Sequence, residues 1–118
     1  MSVVIYHNPR CSKSRATLAL IEERGIRPRV IEYLKTPPSV AELKTLLALL
    51  GLRPRDLMRK QEASYAALGL ADPQLSDEAL ITAMAEHPIL IERPIVVNGK
   101  RAALGRPPEA VLEILPTS

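Results

Sequence analysis

The sequence predicts an α/β domain, a four-stranded mixed β-sheet flanked by helices with a helical insertion between strands 2 and 3. Three observations carry this prediction. The stretch from Val3 to Tyr33 reads as strand, helix, strand. The stretch from Pro94 to Leu104 reads as two short strands around an Asn-Gly pair. Between the two, over about 39–87, apolar residues recur at helical spacing.

Val3-Val4-Ile5-Tyr6 is a short buried-strand run, ended by the turn residues Asn8-Pro9. A helix over Ser12 to Arg24 follows, with Thr17, Leu18, Leu20 and Ile21 on one face and Gly25 as its stop. Arg29 to Tyr33 supplies a second strand, and a strand–helix–strand order of this kind implies parallel neighbours joined by a right-handed crossover. Ser39 and Glu42 have the spacing of a capping box after the break at Pro37-Pro38. Leu43, Leu46, Leu47 and Leu50 then form a core stripe, and Gly51 ends that helix. One or two short helices over Pro54 to Leu68 are expected to carry Arg59. Ser76 caps a further helix through Leu80, Ile81 and Met84, which stops before Pro88. His87, at its end, is read as a cation meeting the negative helix terminus or as simple packing. Asn98-Gly99 is the turn of an antiparallel hairpin and is assigned no other role. A final helix over Pro108 to Leu115 closes the chain.

The order βαβ, helical insertion, ββ, α is the plan of a thioredoxin-like domain. Pro94 begins the third strand, where such domains place a cis-proline beside the redox cysteine. The 118 residues suit one domain over 1–118, since a domain takes about 100–200 residues. At this size a chain buries roughly two-thirds of its extended surface and needs no staples.

Composition excludes several function classes. The single cysteine, Cys11, rules out a disulfide framework, and with only His7 and His87 beside it a cysteine-based zinc site is not expected. Apolar runs such as Ile89-Leu90-Ile91 fall far short of the ~20 residues that cross a bilayer. The N-terminus lacks the basic region and apolar length of a signal peptide, so the expected location is the reducing cytoplasm, with no membrane partner. The net charge of +3 comes from 16 Lys plus Arg against 13 Asp plus Glu, without clustering. With no Trp or Phe and only three Tyr, a base-stacking platform is poorly supplied, and no nucleic-acid partner is expected.

Cys11 is where chemistry concentrates. It follows the first strand by a short loop and stands at the start of the first helix, where unsatisfied N–H groups and the helix dipole favour an anion. Arg10, Lys13 and Arg15 add positive charge, and such surroundings lower a thiol pKa. Cys11-Ser12-Lys13-Ser14 is C-x-x-S, a one-thiol form of the C-x-x-C redox motif. Ser14 can hydrogen-bond a thiolate but cannot form a disulfide with it, so the chemistry must finish on an external thiol. A phosphatase-type C-x5-R loop fails because Thr17 stands where the arginine would be. A Cys–His protease reading lacks any oxyanion-hole motif.

The loop His7-Asn8-Pro9-Arg10-Cys11-Ser12-Lys13-Ser14-Arg15 resembles the active-site loop of the glutaredoxin-coupled arsenate reductases. The resemblance extends through Tyr33 to Pro38, Leu57 to Lys60, His87 to Val97 and Gly105-Arg106-Pro107, almost the whole chain. It implies that Cys11 is the nucleophile and that His7 influences its ionisation. Ser14 and Arg15 would help hold thiolate and anion. Arg59, Arg93 and Arg106 would bind the arsenic oxyanion, a task suited to planar guanidinium forks. It further implies arsenate as substrate, glutathione as co-substrate and glutaredoxin as transient partner. No tightly bound cofactor and no metal are expected.

Two other readings stand beside it. One is a glutathione-dependent thiol reductase of the same fold with a different substrate. The other is a transcription regulator like Spx, whose relatives use C-x-x-C as a disulfide switch; here Ser14 removes the second thiol. Fold alone does not choose among them.

Overall fold

The computed structural model describes residues 2–116. Strand β1 (Val3–His7), helix α1 (Ser12–Glu23) and strand β2 (Arg29–Glu32) form the expected opening unit. Helices α2 (Val40–Leu50), α3 (Ala63–Ala67) and α4 (Asp77–Glu86) follow, with short 3-10 helices at Pro54–Leu57 and Pro88–Leu90. Strands β3 (Ile95–Asn98) and β4 (Arg101–Leu104) and a 3-10 helix at Pro108–Glu113 complete the chain. The sheet order is β2-β1-β3-β4. β1 runs parallel to β2, with Ile5 opposite Val30, and antiparallel to β3, with Ile5 opposite Val96. This is the four-stranded mixed sheet of a thioredoxin-like domain.

The chain divides into two compact units, one of Met1–Thr36 with Arg93–Ser118, the other Pro37–Glu92. The first holds the sheet. Successive side chains on a strand face opposite sides, and on β1 the inward set is Val3, Ile5 and His7, all buried. Val3 and Ile5 join Ile21, Val96, Val111, Ile114 and Leu115 in one core cluster. Burying a side chain of this size stabilises by about 1.5–3 kcal/mol. Helix α1 turns Ser14, Thr17 and Ile21 inward, an i, i+3, i+7 stripe. The inward faces of β1 and α1 are thus apolar at one end and polar at the other, which matters for the site below.

In the second unit, local signals do what the sequence asks of them. The Ser39 hydroxyl accepts from the Glu42 N–H at 3.1 Å, and the Glu42 carboxylate accepts from the Ser39 N–H at 3.4 Å. Gly51 caps α2 in the left-handed region at φ 67°. Ser76 accepts from the Ala79 N–H at 3.1 Å and starts α4, which packs against α2. No helix among the described residues is long and apolar enough to cross a membrane.

Three expectations need correction. Arg59 is not carried by a helix. Met58 is extended (φ −96°, ψ 141°) and bridges Ile91, and the Arg59 N–H donates to the Leu90 carbonyl at 2.7 Å. That cross-chain pairing takes the backbone groups a helix would have used. The last segment is a 3-10 helix over Pro108–Glu113, beyond which Ile114 and Leu115 enter the core cluster. The hairpin turn is Gly99-Lys100, because Asn98 pairs with Arg101 as part of β3. Gly99 takes φ 62° while no non-glycine residue has positive φ, which excludes the I′ turn. Asn98 has a separate task, since its buried amide donates to the Ile114 carbonyl at 2.7 Å and ties the C-terminal segment to the sheet.

Candidate active site

The loop from β1 to α1 is built by a β-turn. Asn at the first position and Pro at the second favour a type I turn, and the Cys11 N–H donates to the Asn8 carbonyl at 3.0 Å to close it. The Asn8 side chain adds an acceptor for the Arg10 N–H at 3.0 Å. Cys11 is the N-cap of α1, and its own carbonyl accepts the Arg15 N–H at 3.0 Å. No acidic residue occupies the first turn of α1, so the positive helix terminus is left for an incoming anion.

Cys11 is a free, half-buried thiol. Partial burial pushes its pKa up, but the Ser14 N–H, the Arg93 guanidinium and the Lys13 N–H together outweigh that and hold it below the ordinary thiol range. The groups that stabilise the thiolate are therefore two backbone amides of α1 and one arginine from the segment before β3. The Ser14 contribution comes from its backbone. Its hydroxyl lies 2.6 Å from His7 Nδ1 and accepts from the Asn8 N–H at 3.0 Å. His7 is the last inward position of β1 and Ser14 the first inward position of α1, so the polar ends of two apolar faces meet there.

Arg93 stands beside Pro94, and the Arg93–Pro94 bond is cis. Arg106 Nη1 donates to the Arg93 carbonyl at 3.3 Å, so the two arginines come from adjoining segments at the same end of the hairpin. Arg15, exposed, donates from Nη1 to the Pro9 carbonyl at 2.9 Å and is held over the loop. The structure thus gathers Cys11, His7, Ser14, Arg15, Arg93, Pro94 and Arg106 within one unit. Arg59 belongs to the other, where it is half-buried between two carboxylates, Glu62 at 3.2 Å and Glu92 at 4.0 Å.

Sequence reasoning passed over Gly105. Its N–H donates to the Pro94 carbonyl at 3.0 Å. A β-carbon there would stand 2.7 Å from Pro94 Cγ and would overlap the Thr17 side chain. Thr17 in turn donates to the Lys13 carbonyl at 2.7 Å. Glycine at 105 therefore lets the β4 end approach both the proline beside Arg93 and the helix that begins at Cys11. The only signal in the sequence was its place before Arg106.

Chemically, this is a free thiol at a helix N-terminus, whose ionised form is favoured by the Ser14 and Lys13 N–H groups and the Arg93 guanidinium. Among the described residues, no group of three or more His, Cys, Asp or Glu side chains could hold a metal ion.

The profile of the ArsC family matches residues 6–114, and the chain belongs to that family. It is 57% identical over 114 residues to the protein YfgD of Escherichia coli K12, covering 96% of each chain. It is 55% identical to a protein named arsenate reductase from Rhizobium meliloti, covering 98% of this chain and 83% of that one. Among solved structures, an arsenate reductase from Vibrio cholerae matches with a TM-score of 0.95 at 66% identity over 98% of both chains.

Proposed function

We propose that this protein is an arsenate reductase, an oxidoreductase that uses glutathione and glutaredoxin as its source of electrons. The observation that carries the reading is the Cys11 thiol at the N-terminus of α1, its pKa held down against partial burial by the Ser14 N–H and the Arg93 guanidinium. The arsenate reductase names of relatives at this level of identity support the substrate. In the proposed reaction Cys11 attacks the arsenic of arsenate, forming an S–As bond while one oxygen leaves, protonated, as water. Arg93 and Arg106 neutralise the oxyanion, and the charge-assisted contacts of guanidinium groups suit that task. The third arginine, Arg59, is assigned to the anion on the family resemblance.

The only cysteine in the chain is then used, so the two electrons come from outside. Glutathione displaces a second oxygen as water and joins the arsenic. A glutaredoxin thiolate attacks the glutathione sulfur, the As–S bond breaks, and its electron pair stays on arsenic, reducing As(V) to As(III). Water releases arsenite and returns Cys11.

The test is arsenate-dependent NADPH oxidation coupled through glutathione reductase, glutathione and glutaredoxin. A rate that needs both thiol components and vanishes in Cys11→Ser is the expected result. Full turnover in Cys11→Ser would refute the scheme. Background activity in folded protein with reduced Cys11 would transfer the reading to a thiol reductase with another substrate.

A further inference from the structure

Beside the Cys11 loop, on its β2 flank, lies a groove of about 220 Å³. Residues 7–10 form one wall, and Glu32, Leu34 and Lys35 form the other. The turn closed by the Cys11 N–H and the Asn8 carbonyl ties this wall to the nucleophile, since the ends of a β-turn lie within about 7 Å of each other. Leu34 is 42% exposed, a large apolar side chain left open to solvent at the groove. Two cations, Arg10 and Lys35, and one anion, Glu32, line it. Lys35 and Glu32 form an exposed pair at 3.4 Å, of a kind that opens at little cost.

We propose that this groove is the subsite for the small thiol that attacks the Cys11 adduct, and that it selects a thiol bearing two carboxylates and one ammonium group. The inference rests on the reading that an external thiol resolves Cys11. The groove's two positive charges and one negative charge are the complement of such a molecule, and Leu34 covers its aliphatic stem. A three-residue peptide extends about 10 Å, longer than the roughly 7 Å that a β-turn spans between its ends. Lys35 is assigned to a carboxylate.

The test omits arsenate, so its outcome is independent of the substrate reading. Cys11 is converted to its mixed disulfide with thionitrobenzoate, and an added thiol then attacks the Cys11 sulfur. Thionitrobenzoate leaves with the electron pair of the broken S–S bond, and its absorbance reports the rate. Glutathione, glutathione with its glycine carboxylate esterified, and uncharged 2-mercaptoethanol are compared. Lys35→Ala is expected to slow glutathione roughly three- to fivefold, the effect of one solvent-exposed ion pair, and to leave 2-mercaptoethanol within twofold. If Lys35 meets the glycine carboxylate, the ester is slowed in the native protein and loses nothing further in Lys35→Ala. If it meets the γ-glutamyl carboxylate, Lys35→Ala slows ester and glutathione alike, and both results support the groove. Lys35→Glu should slow glutathione further while sparing the uncharged thiol. Equal effects on glutathione and 2-mercaptoethanol, or no effect on either, would overturn the assignment. Because Lys35 is exposed, these variants are expected to fold, and circular dichroism checks that they do.

Discussion

His7 Nδ1 and the Ser14 hydroxyl oxygen meet at 2.6 Å, and both residues are buried. The same hydroxyl accepts the Asn8 N–H, so one serine serves a histidine at the end of β1 and the backbone of the turn that leads into Cys11. A buried polar group that loses its partner costs about 1–3 kcal/mol.

Ser14→Ala is therefore expected to lower unfolding free energy by about 1–3 kcal/mol. Its backbone N–H, which faces Cys11, remains in place. The pH midpoint of Cys11 alkylation should accordingly move less than in Arg93→Ala. Urea melts and iodoacetamide rates measure the two effects. Undiminished stability would show that the His7–Ser14 contact holds nothing together.

His7 links stability to pH. Burial pulls its pKa below the ordinary 6.5, Glu32 opposes, Arg15 assists, and Glu22 opposes. The folded state thus prefers the neutral ring, while the unfolded chain takes up a proton near 6.5. Stability from this group is present above 6.5 and is lost as pH falls through the lower folded value. Urea midpoints at pH 7.5 and 5.5 should show a decline, and in His7→Asn that decline should flatten. An equal slope in both proteins would assign the effect to other groups.

Arg93 and Arg106 are expected to separate by experiment. Arg93→Ala removes the guanidinium beside the thiolate, so the alkylation profile moves to higher pH. If the proposed reaction holds, arsenate kcat/KM falls roughly 10- to 100-fold, the range of one charge-assisted hydrogen bond. Arg106 is directed to the Arg93 carbonyl. Arg106→Ala should raise the arsenate KM with the alkylation profile in place. Identical profiles in the two variants would remove the distinction.

Gly105 is a steric requirement. Gly105→Ala must move Pro94 or Thr17, and overpacking of this kind costs about 1–3 kcal/mol. A β-carbon at Gly25, where φ is 75°, would meet nothing within 4 Å, so Gly25→Ala meets backbone strain alone, about 1–2 kcal/mol. The two separate at the site: only Gly105→Ala should also slow Cys11 alkylation at pH 7. Thermal melts with alkylation rates on both proteins would decide this, and equal alkylation rates would count against a positioning role.

What the sequence determined alone was local. The β1 alternation, the α1 and α2 stripes, the Ser39–Glu42 box, the Ser76 cap and the Gly51 stop each depend on residues within a few positions of one another. Backbone geometry and hydrogen-bonding chemistry decide them without the rest of the chain. Cys11 at a helix start was legible for the same reason, as was a hairpin near residue 99. The tertiary structure decided whatever depends on distant partners. It put Arg59 in an extended segment because Met58 pairs with Ile91, thirty-three positions away. It moved the turn one residue along because Asn98 is needed as a strand residue and as a donor to Ile114. It brought Arg93 to Cys11 and made Gly105 the point where Pro94 and Thr17 crowd the backbone. Spacing along the chain cannot report such meetings, because they arise only when the sheet register and the α1 packing bring remote backbones to within van der Waals distance.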